Sequence, residues 1–302
     1  MSEKILTEDQ VSTYTFKTKN IKKKNKQMLK HGIAHFILII ATLIAVFPIL
    51  WIFSSSIRST DTMFSSTLRL IPEKPTLANY INIINQGDFL IWLRNSTIIA
   101  SVTTVASIAI GLLGGYAFSR FRFRGRKFGL SLFLLLNAFP NILAMVAIYR
   151  LFDKLNFISS PIKLILIYTS WQVVFAIWNI KGYFDTLPRE IEEAAFIDGA
   201  SRKDVFLKIL IPLSKPSLAV TALFAFLGSW NEYIFGITFV TDPKFFTLPM
   251  GLYNLQSSAG DYAVNWSLFS AGALLIALPI TIVFLVLQRY LISGLTVGGV
   301  KG

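Results

Sequence analysis

Glu193-Ala194-Ala195, then Gly199, then Ile209 and Pro212, form a charged, helix-breaking island between two long apolar stretches. Carboxylates there can pair with a partner's cations. The alanines let another backbone come close, and the glycine and proline set bends. That is the chemistry of docking. Elsewhere little could carry covalent chemistry. Cysteine is absent, which excludes disulfides, thiolate catalysis and cysteine metal sites. His31 and His35 are the only histidines, so no histidine metal site is expected. No glycine-rich phosphate loop is followed by Lys-Ser/Thr, so the chain should hydrolyse no nucleotide itself. A membrane enzyme would need convergent acids, histidines or metal ligands, and none stands out.

A bare connection between spans would be short and polar, whereas this island predicts two capped helices. Pro188 suits a first helical turn, where a missing N–H costs nothing. Glu190, Glu192 and Glu193 crowd that turn, where the helix dipole favours anions. Helical spacing puts Ile191, Ala194, Ala195 and Asp198 on one small, shallow face. Gly199 supplies the left-handed residue that ends the helix. Ser201-Arg-Lys-Asp204 then has the form of a capping box, opening a second helix with Val205, Phe206 and Ile209. Pro212 and Pro216 close it. A helix lying on lipid headgroups is the competing reading, and three glutamates near anionic lipid argue against it.

The elements that must position this island are membrane helices. The 302-residue chain is 54% hydrophobic with a mean hydropathy of +0.59, too apolar for a soluble domain of this size. Phe36–Ile57, Asn95–Ser119, Phe128–Tyr149 and Tyr262–Gln288 each lack ionisable residues for about the 20 residues that cross a bilayer. Leu164–Ile180, and Pro216–Thr241 interrupted only by Glu232, bring the expected number of spans to six. No strand-like alternation occurs, so an all-α polytopic membrane protein is predicted. Pro48, Pro140 and Pro279 are expected as kinks inside spans. Gly111-Leu-Leu-Gly-Gly115 should let two helices pack closely. A turn at Pro72-Glu-Lys-Pro75 leads to a short surface helix near Tyr80.

Basic residues fix the expected orientation. The N-terminal stretch carries eight lysines, Arg120–Lys127 five basic residues and no acid, and Lys181–Lys215 six. With the C-terminal tail these segments hold 21 of the 29 Lys and Arg, so both termini and the island are placed in the cytoplasm. The formal charge of +13 reflects this asymmetry, spread over alternating loops, and does not point to nucleic acid. Residues 1–30 are read as a basic, flexible tail able to touch anionic lipid, and residues 31–302 as one integral domain. No signal peptide is evident, because more than thirty residues precede the first apolar run.

At the island a family pattern is complete. Glu193-Ala-Ala, three residues, Gly199, nine residues and Ile209-Leu-Ile-Pro212 resemble the EAA signature of ATP-binding-cassette importer permeases, with Ile211 where leucine is usual. Further similarity lies in Gly115-Tyr-Ala-Phe-Ser-Arg120, Ile180-Lys-Gly-Tyr-Phe184, Leu278-Pro-Ile-Thr-Ile-Val-Phe and the tail from Gln288 to Gly302. Over roughly residues 34–302 these resemble the carbohydrate, maltose-type group, and within it the smaller permease subunits of maltose/maltodextrin transporters.

The resemblance implies a second, larger permease subunit, a cytoplasmic ATPase dimer and an extracytoplasmic sugar-binding protein as partners. It implies no cofactor on this chain, ATP and Mg being held by the ATPase. Glu193 would anchor the ATPase, Ala194 and Ala195 allow close approach, and Gly199 set the bend, with Asp198, Ile209 and Pro212 completing the coupling region. The tail, with Gly298, Gly299 and Lys301, would reach between the ATPase subunits; taken alone it reads as a frayed, glycine-rich end. Trp230, Asn231 and Glu232 in the fifth span read equally as part of a sugar path and as interhelical packing. The family places the sugar mainly on the other subunit, which favours a gate or packing role. The stretch from Thr241 to Asn265, with Tyr253, Asn254, Gln256, Gly260 and Asp261, would meet the sugar-binding protein; its other reading is a plain surface turn. Asn137, Asn141, Gln172 and Asn179 are assigned to packing. A secondary carrier, the alternative class, would need inverted repeats or paired midplane ions, and Glu232 alone is a thin basis for one.

Overall fold

A computed structural model describes residues 8–59, 71–85, 88–155, 158–257 and 265–299. The described residues form helices joined by turns, with one isolated bridge between Arg58 and Pro75. In chain order the helices are α1 (Glu8–Ser56), α2 (Ala78–Asn85), α3 (Phe89–Arg120), α4 (Arg126–Ala138), α5 (Met145–Lys154), α6 (Ser160–Thr186) and α7 (Glu190–Ile197). They continue with α8 (Arg202–Asp204), α9 (Ile211–Leu213), α10 (Lys215–Trp230), α11 (Ile234–Phe239), α12 (Leu248–Ser257) and α13 (Trp266–Gly299). Between α8 and α9, Val205–Leu210 is wound as a π-helix.

Among the described residues, four helices are long and apolar enough to cross a bilayer: Lys30–Ser56 within α1, Phe89–Arg120, Ser160–Thr186 and Trp266–Tyr290 within α13. Six result if each of two bent pairs counts as one span. Pro48 and Pro279 lie inside α1 and α13 as expected. Pro140 does more than kink its helix. Phe139 is extended, as a residue before proline prefers, and the helices on either side meet at 92°. The window Pro216–Thr241 is likewise interrupted. It divides into α10 and α11 around Asn231–Tyr233, and α10 meets the preceding Arg202–Leu213 helix at 72°. α1 runs without a break from Glu8 to Ser56.

The centre of the fold is the pair α3–α6. The buried face of α3 carries Ser96, Ile99, Thr103, Ser107, Gly111, Gly115 and Ser119 at helical spacing, nearly all small. A Cβ on Gly111 would sit 2.6 Å from Ala176 Cβ, and one on Gly115 3.0 Å from the Lys181 backbone nitrogen. The glycines therefore bring α3 against α6 backbone to backbone, which is how apolar helices gain contact energy in lipid. Asn179 Nδ2 ties α6 to α10 by donating to Ser217 O at 3.1 Å and Thr221 Oγ1 at 2.9 Å. Gln172 packs over Gly228 of α10. Asn137 and Asn141 are exposed on this chain instead of packed within it.

Candidate functional site

The island folds as a helix, a glycine bend and a second helix, and each feature has a local cause. Glu190, Glu192 and Glu193 occupy the first turn of α7, one residue past its cap at Arg189, and Pro188 lies just outside. Gly199 closes α7 at φ +83°. Ala200 N–H reaches Ala195 O at 2.9 Å and Gly199 N–H reaches Phe196 O at 3.1 Å, a Schellman closure that only a left-handed residue permits without strain. The capping box forms as well. Ser201 Oγ accepts from Asp204 N–H at 3.2 Å, and Asp204 Oδ2 accepts from Ser201 N–H at 3.3 Å.

The π-helical stretch precedes Pro212, whose ring would collide with the Lys208 carbonyl in an α-helix. The wider winding lets Ile211 N–H bond Phe206 O instead. Ile209 is half-buried against the cluster of Ile180, Phe184, Val205 and Leu210. Pro212 is exposed.

The face that α7 turns outward differs from the expected one. Ile191, Glu193, Ala194, Ile197 and Asp198 are exposed, Ile197 at 86%. Ala195 turns inward against the cluster, on the same side as Glu192. Glu192 is the acid that matters structurally. Its Oε1 lies 2.5 Å from Arg120 Nε at the last turn of α3, and both side chains are 9% exposed. Arg120 also donates to Ser119 Oγ at 3.1 Å. Ser119 Oγ in turn donates to Asp185 Oδ1 at 2.6 Å, and Lys181 Nζ is 2.6 Å from the other carboxylate oxygen. The second helix is held from the same side, with the Phe206 ring 4.8 Å from Tyr116 and the Arg202 guanidinium 5.6 Å over Phe121.

One polar network thus joins α3, α6 and α7. Sequence reasoning missed it. Arg120 stood inside a quoted motif and Glu192 inside an acidic turn, but their pairing across 72 residues has no local signature.

At the far end of α10 stand the span residues singled out above. Trp230 is 1% exposed, stacks on Phe226 at 5.2 Å and donates Nε1–H to Ile276 O at 3.2 Å. Those are packing contacts. Glu232 accepts from Tyr168 Oη–H at 2.6 Å, Phe235 N–H at 2.9 Å and Gly236 N–H at 3.1 Å. Its carboxylate therefore caps α11 and fastens it to α6. Asn231, at the C-terminal end of α10, is exposed.

The Thr241–Asn265 stretch is not a plain turn, because α12 occupies much of it. Asn95 Nδ2 donates to Lys244 O and Phe246 O, both at 2.9 Å, and Leu248 N–H donates to Ser96 Oγ at 2.8 Å. These bonds hold α12 onto α3. Tyr253 and Asn254 are exposed on α12, and Gln256 lies in its last turn. Gly298 and Gly299 end α13. Gly260, Asp261 and Lys301 lie outside the described residues. Among the described residues no group of three His, Asp or Glu could hold a metal.

Residues 107–297 match the model of the binding-protein-dependent transport system inner membrane component family. The chain belongs to this family. The matched stretch contains the glycine stripe of α3, the whole island and nearly all of α13. Over 282 residues the permease is 36% identical to a galactooligosaccharides transport system permease protein of Bacillus subtilis (strain 168), covering 92% of this chain and 98% of that one. It is 34% identical to a trehalose/maltose transport system permease protein of Thermococcus litoralis over 87% of this chain and 94% of the other. A maltodextrin transport system permease protein of Bacillus subtilis shares 36% identity over 91% and 98%.

The fold is shared with a chain from the crystal structure of a bacterial transporter that imports the acidic polysaccharide alginate. There the TM-score is 0.73, the identity 24%, and the coverage 86% of this chain and 95% of the other. The permease is a multi-pass membrane protein.

Proposed function

We propose that this permease is one half of the membrane pore of an ATP-binding-cassette importer for oligosaccharides, with maltodextrins as first substrate. The observation that carries the reading is the island: a bent double helix with an exposed shallow face, rooted in α3 by the buried Glu192–Arg120 pair and tied on to α6 through Ser119 and Asp185. Such a body can be pushed without deforming, as rigid-body alternating access requires. ATP and Mg would be bound and turned over by a cytoplasmic ATPase dimer seated on Ile191, Glu193, Ala194 and Ile197. A second, larger permease subunit would complete the pore. α12 and the residues after it would meet the extracytoplasmic sugar-binding protein, and the end of α13 would reach toward the ATPase. The relatives named for galactooligosaccharides, trehalose/maltose and maltodextrin support the sugar class.

The test is co-purification with the ATPase, followed by sugar-stimulated ATP hydrolysis in liposomes. Glu193→Lys puts a cation on the docking face. Gly199→Asp forces a side chain into φ +83°. Each should leave the permease in the membrane yet cut sugar-stimulated hydrolysis at least about tenfold, the worth of one lost charge pair or of a strained left-handed residue. Undiminished stimulation in both variants would remove the docking assignment.

Orientation has its own check. In this cysteine-free chain, Phe123→Cys should resist a membrane-impermeant thiol reagent applied from outside, whereas Asn254→Cys should react. The reverse pattern would invert the topology.

A further inference from the structure

Asn231 and Tyr253, which the sequence reading assigned to different tasks, line one cleft. With Tyr233, Phe269, Leu252 and Ile276 they line an open cleft of about 340 Å³ between the end of α10, α12 and α13. That lies within the roughly 300–1,000 Å³ of small-molecule sites. The Tyr233 and Tyr253 rings are 5.1 Å apart at 50°, forming two walls of a corner. Asn231 Nδ2 donates to Leu227 O at 3.1 Å, and the exposed residue lines the cleft.

Back along α10 from the cleft runs a partly exposed stripe that α6 flanks. Phe224, Gly228 and Asn231 recur at helical spacing and are exposed. The Gln172 amide lies over Gly228, and Phe175 meets Phe224 at 5.4 Å. This face differs from those suited to acyl chains. On α1 the exposed large side chains from Phe36 to Phe53 are all hydrocarbon, as are Leu278, Ile282, Phe284, Leu285 and Val286 on α13. An exposed amide such as that of Asn231, at the end of a membrane helix, is costly in lipid and belongs against water or a polar ligand. Amides with aromatic rings suit a sugar, whose hydroxyls bond the former and whose apolar ring face stacks on the latter.

We infer that this permease carries its own carbohydrate subsite, in which a pyranose ring of the transported oligosaccharide stacks in the Tyr233–Tyr253 corner and hydrogen-bonds Asn231. The inference rests on the oligosaccharide-importer reading and extends it by giving this subunit direct contact with the sugar. Glu232 does not touch the sugar. It holds α11, and so the backbone between Asn231 and Tyr233, in place.

The experiment uses the assembled importer in liposomes with its binding protein, and maltotriose bearing a photoreactive group as probe. During turnover the label should enter this subunit at residues 231–233 or 248–257. Tyr253→Ala and Asn231→Ala should each reduce maltotriose moved per ATP hydrolysed, by about tenfold for the lost ring, while Tyr253→Phe stays near the parent. Label confined to the larger permease subunit would overturn the subsite. Equal losses in Tyr253→Ala and Tyr253→Phe would also overturn it, since the ring would then not be what counts. A parent complex that holds its ATPase yet moves no maltotriose would instead remove the maltodextrin reading, and this probe's subsite with it.

Discussion

Glu192→Lys is expected to abolish coupled sugar uptake, and Arg120→Glu to do the same, while the double exchange recovers part of it. The two side chains are 9% exposed and meet at 2.5 Å, so either single reversal leaves like charges facing each other inside the protein. Removing one partner of a buried pair already costs about 3–5 kcal/mol, and reversal adds repulsion.

Glu192→Gln should be milder, since an amide oxygen can still accept from Arg120. The double exchange restores opposite charges in a site shaped for the original order, so partial recovery is the expected result. Membrane content measured beside ATP hydrolysis separates two possible consequences. A variant that accumulates and binds the ATPase but no longer responds to sugar marks the pair as the link between α7 and α3. If Glu192→Lys transports like the parent, that link is not used.

The contrast between Glu192 and Glu193 shows what a sequence can and cannot say here. Both lie in the first turn of α7, and the dipole argument favours each equally. The family signature points to Glu193, which the structure leaves exposed. Burial of Glu192 is decided by Arg120, contributed by a distant helix, and nothing near residue 192 announces it. Local features were legible because their causes are local: the capping box at Ser201, the left-handed Gly199 and the helix at Tyr80 all formed where expected.

Apolar windows located α3 and α6 well, since composition alone sets a continuous span. They do not show the breaks near Pro140 and Asn231. There hydropathy continues while the backbone breaks, once through proline sterics and once because Glu232 supplies a new helix with its cap. Trp230 and Asn231 read alike in the sequence, as sugar path or as packing. Aromatic and amide neighbours suit a sugar path, yet α10 turns Trp230 inward and Asn231 outward.

Gly111→Leu should prevent the permease from accumulating at all. Even the first carbon of the new side chain would sit 2.6 Å from Ala176 Cβ and 3.2 Å from the Ala176 carbonyl carbon, neither of which can swing aside. Overpacking a fitted core costs about 1–3 kcal/mol when side chains can adjust, and more when backbones must separate. In lipid no hydrophobic gain compensates, because contact between the helices is itself the driving force.

Gly182→Ala serves as the control, since a Cβ there meets nothing within 4 Å, and it should accumulate normally. Immunoblots of membranes before and after mild heating in detergent would read both, and normal levels of Gly111→Leu would discard the claim. Gly115→Ala is the more telling intermediate. Its Cβ would press on Ile180 Cγ2 and the Lys181 nitrogen, both at 3.0 Å, so a shift of a few tenths of an ångström suffices. That shift falls little more than one helical turn before Arg120 and beside Lys181, within the network that roots α7. Gly115→Ala should therefore accumulate yet couple poorly, because the contact that lets α3 meet α6 also aims the arginine that holds the island.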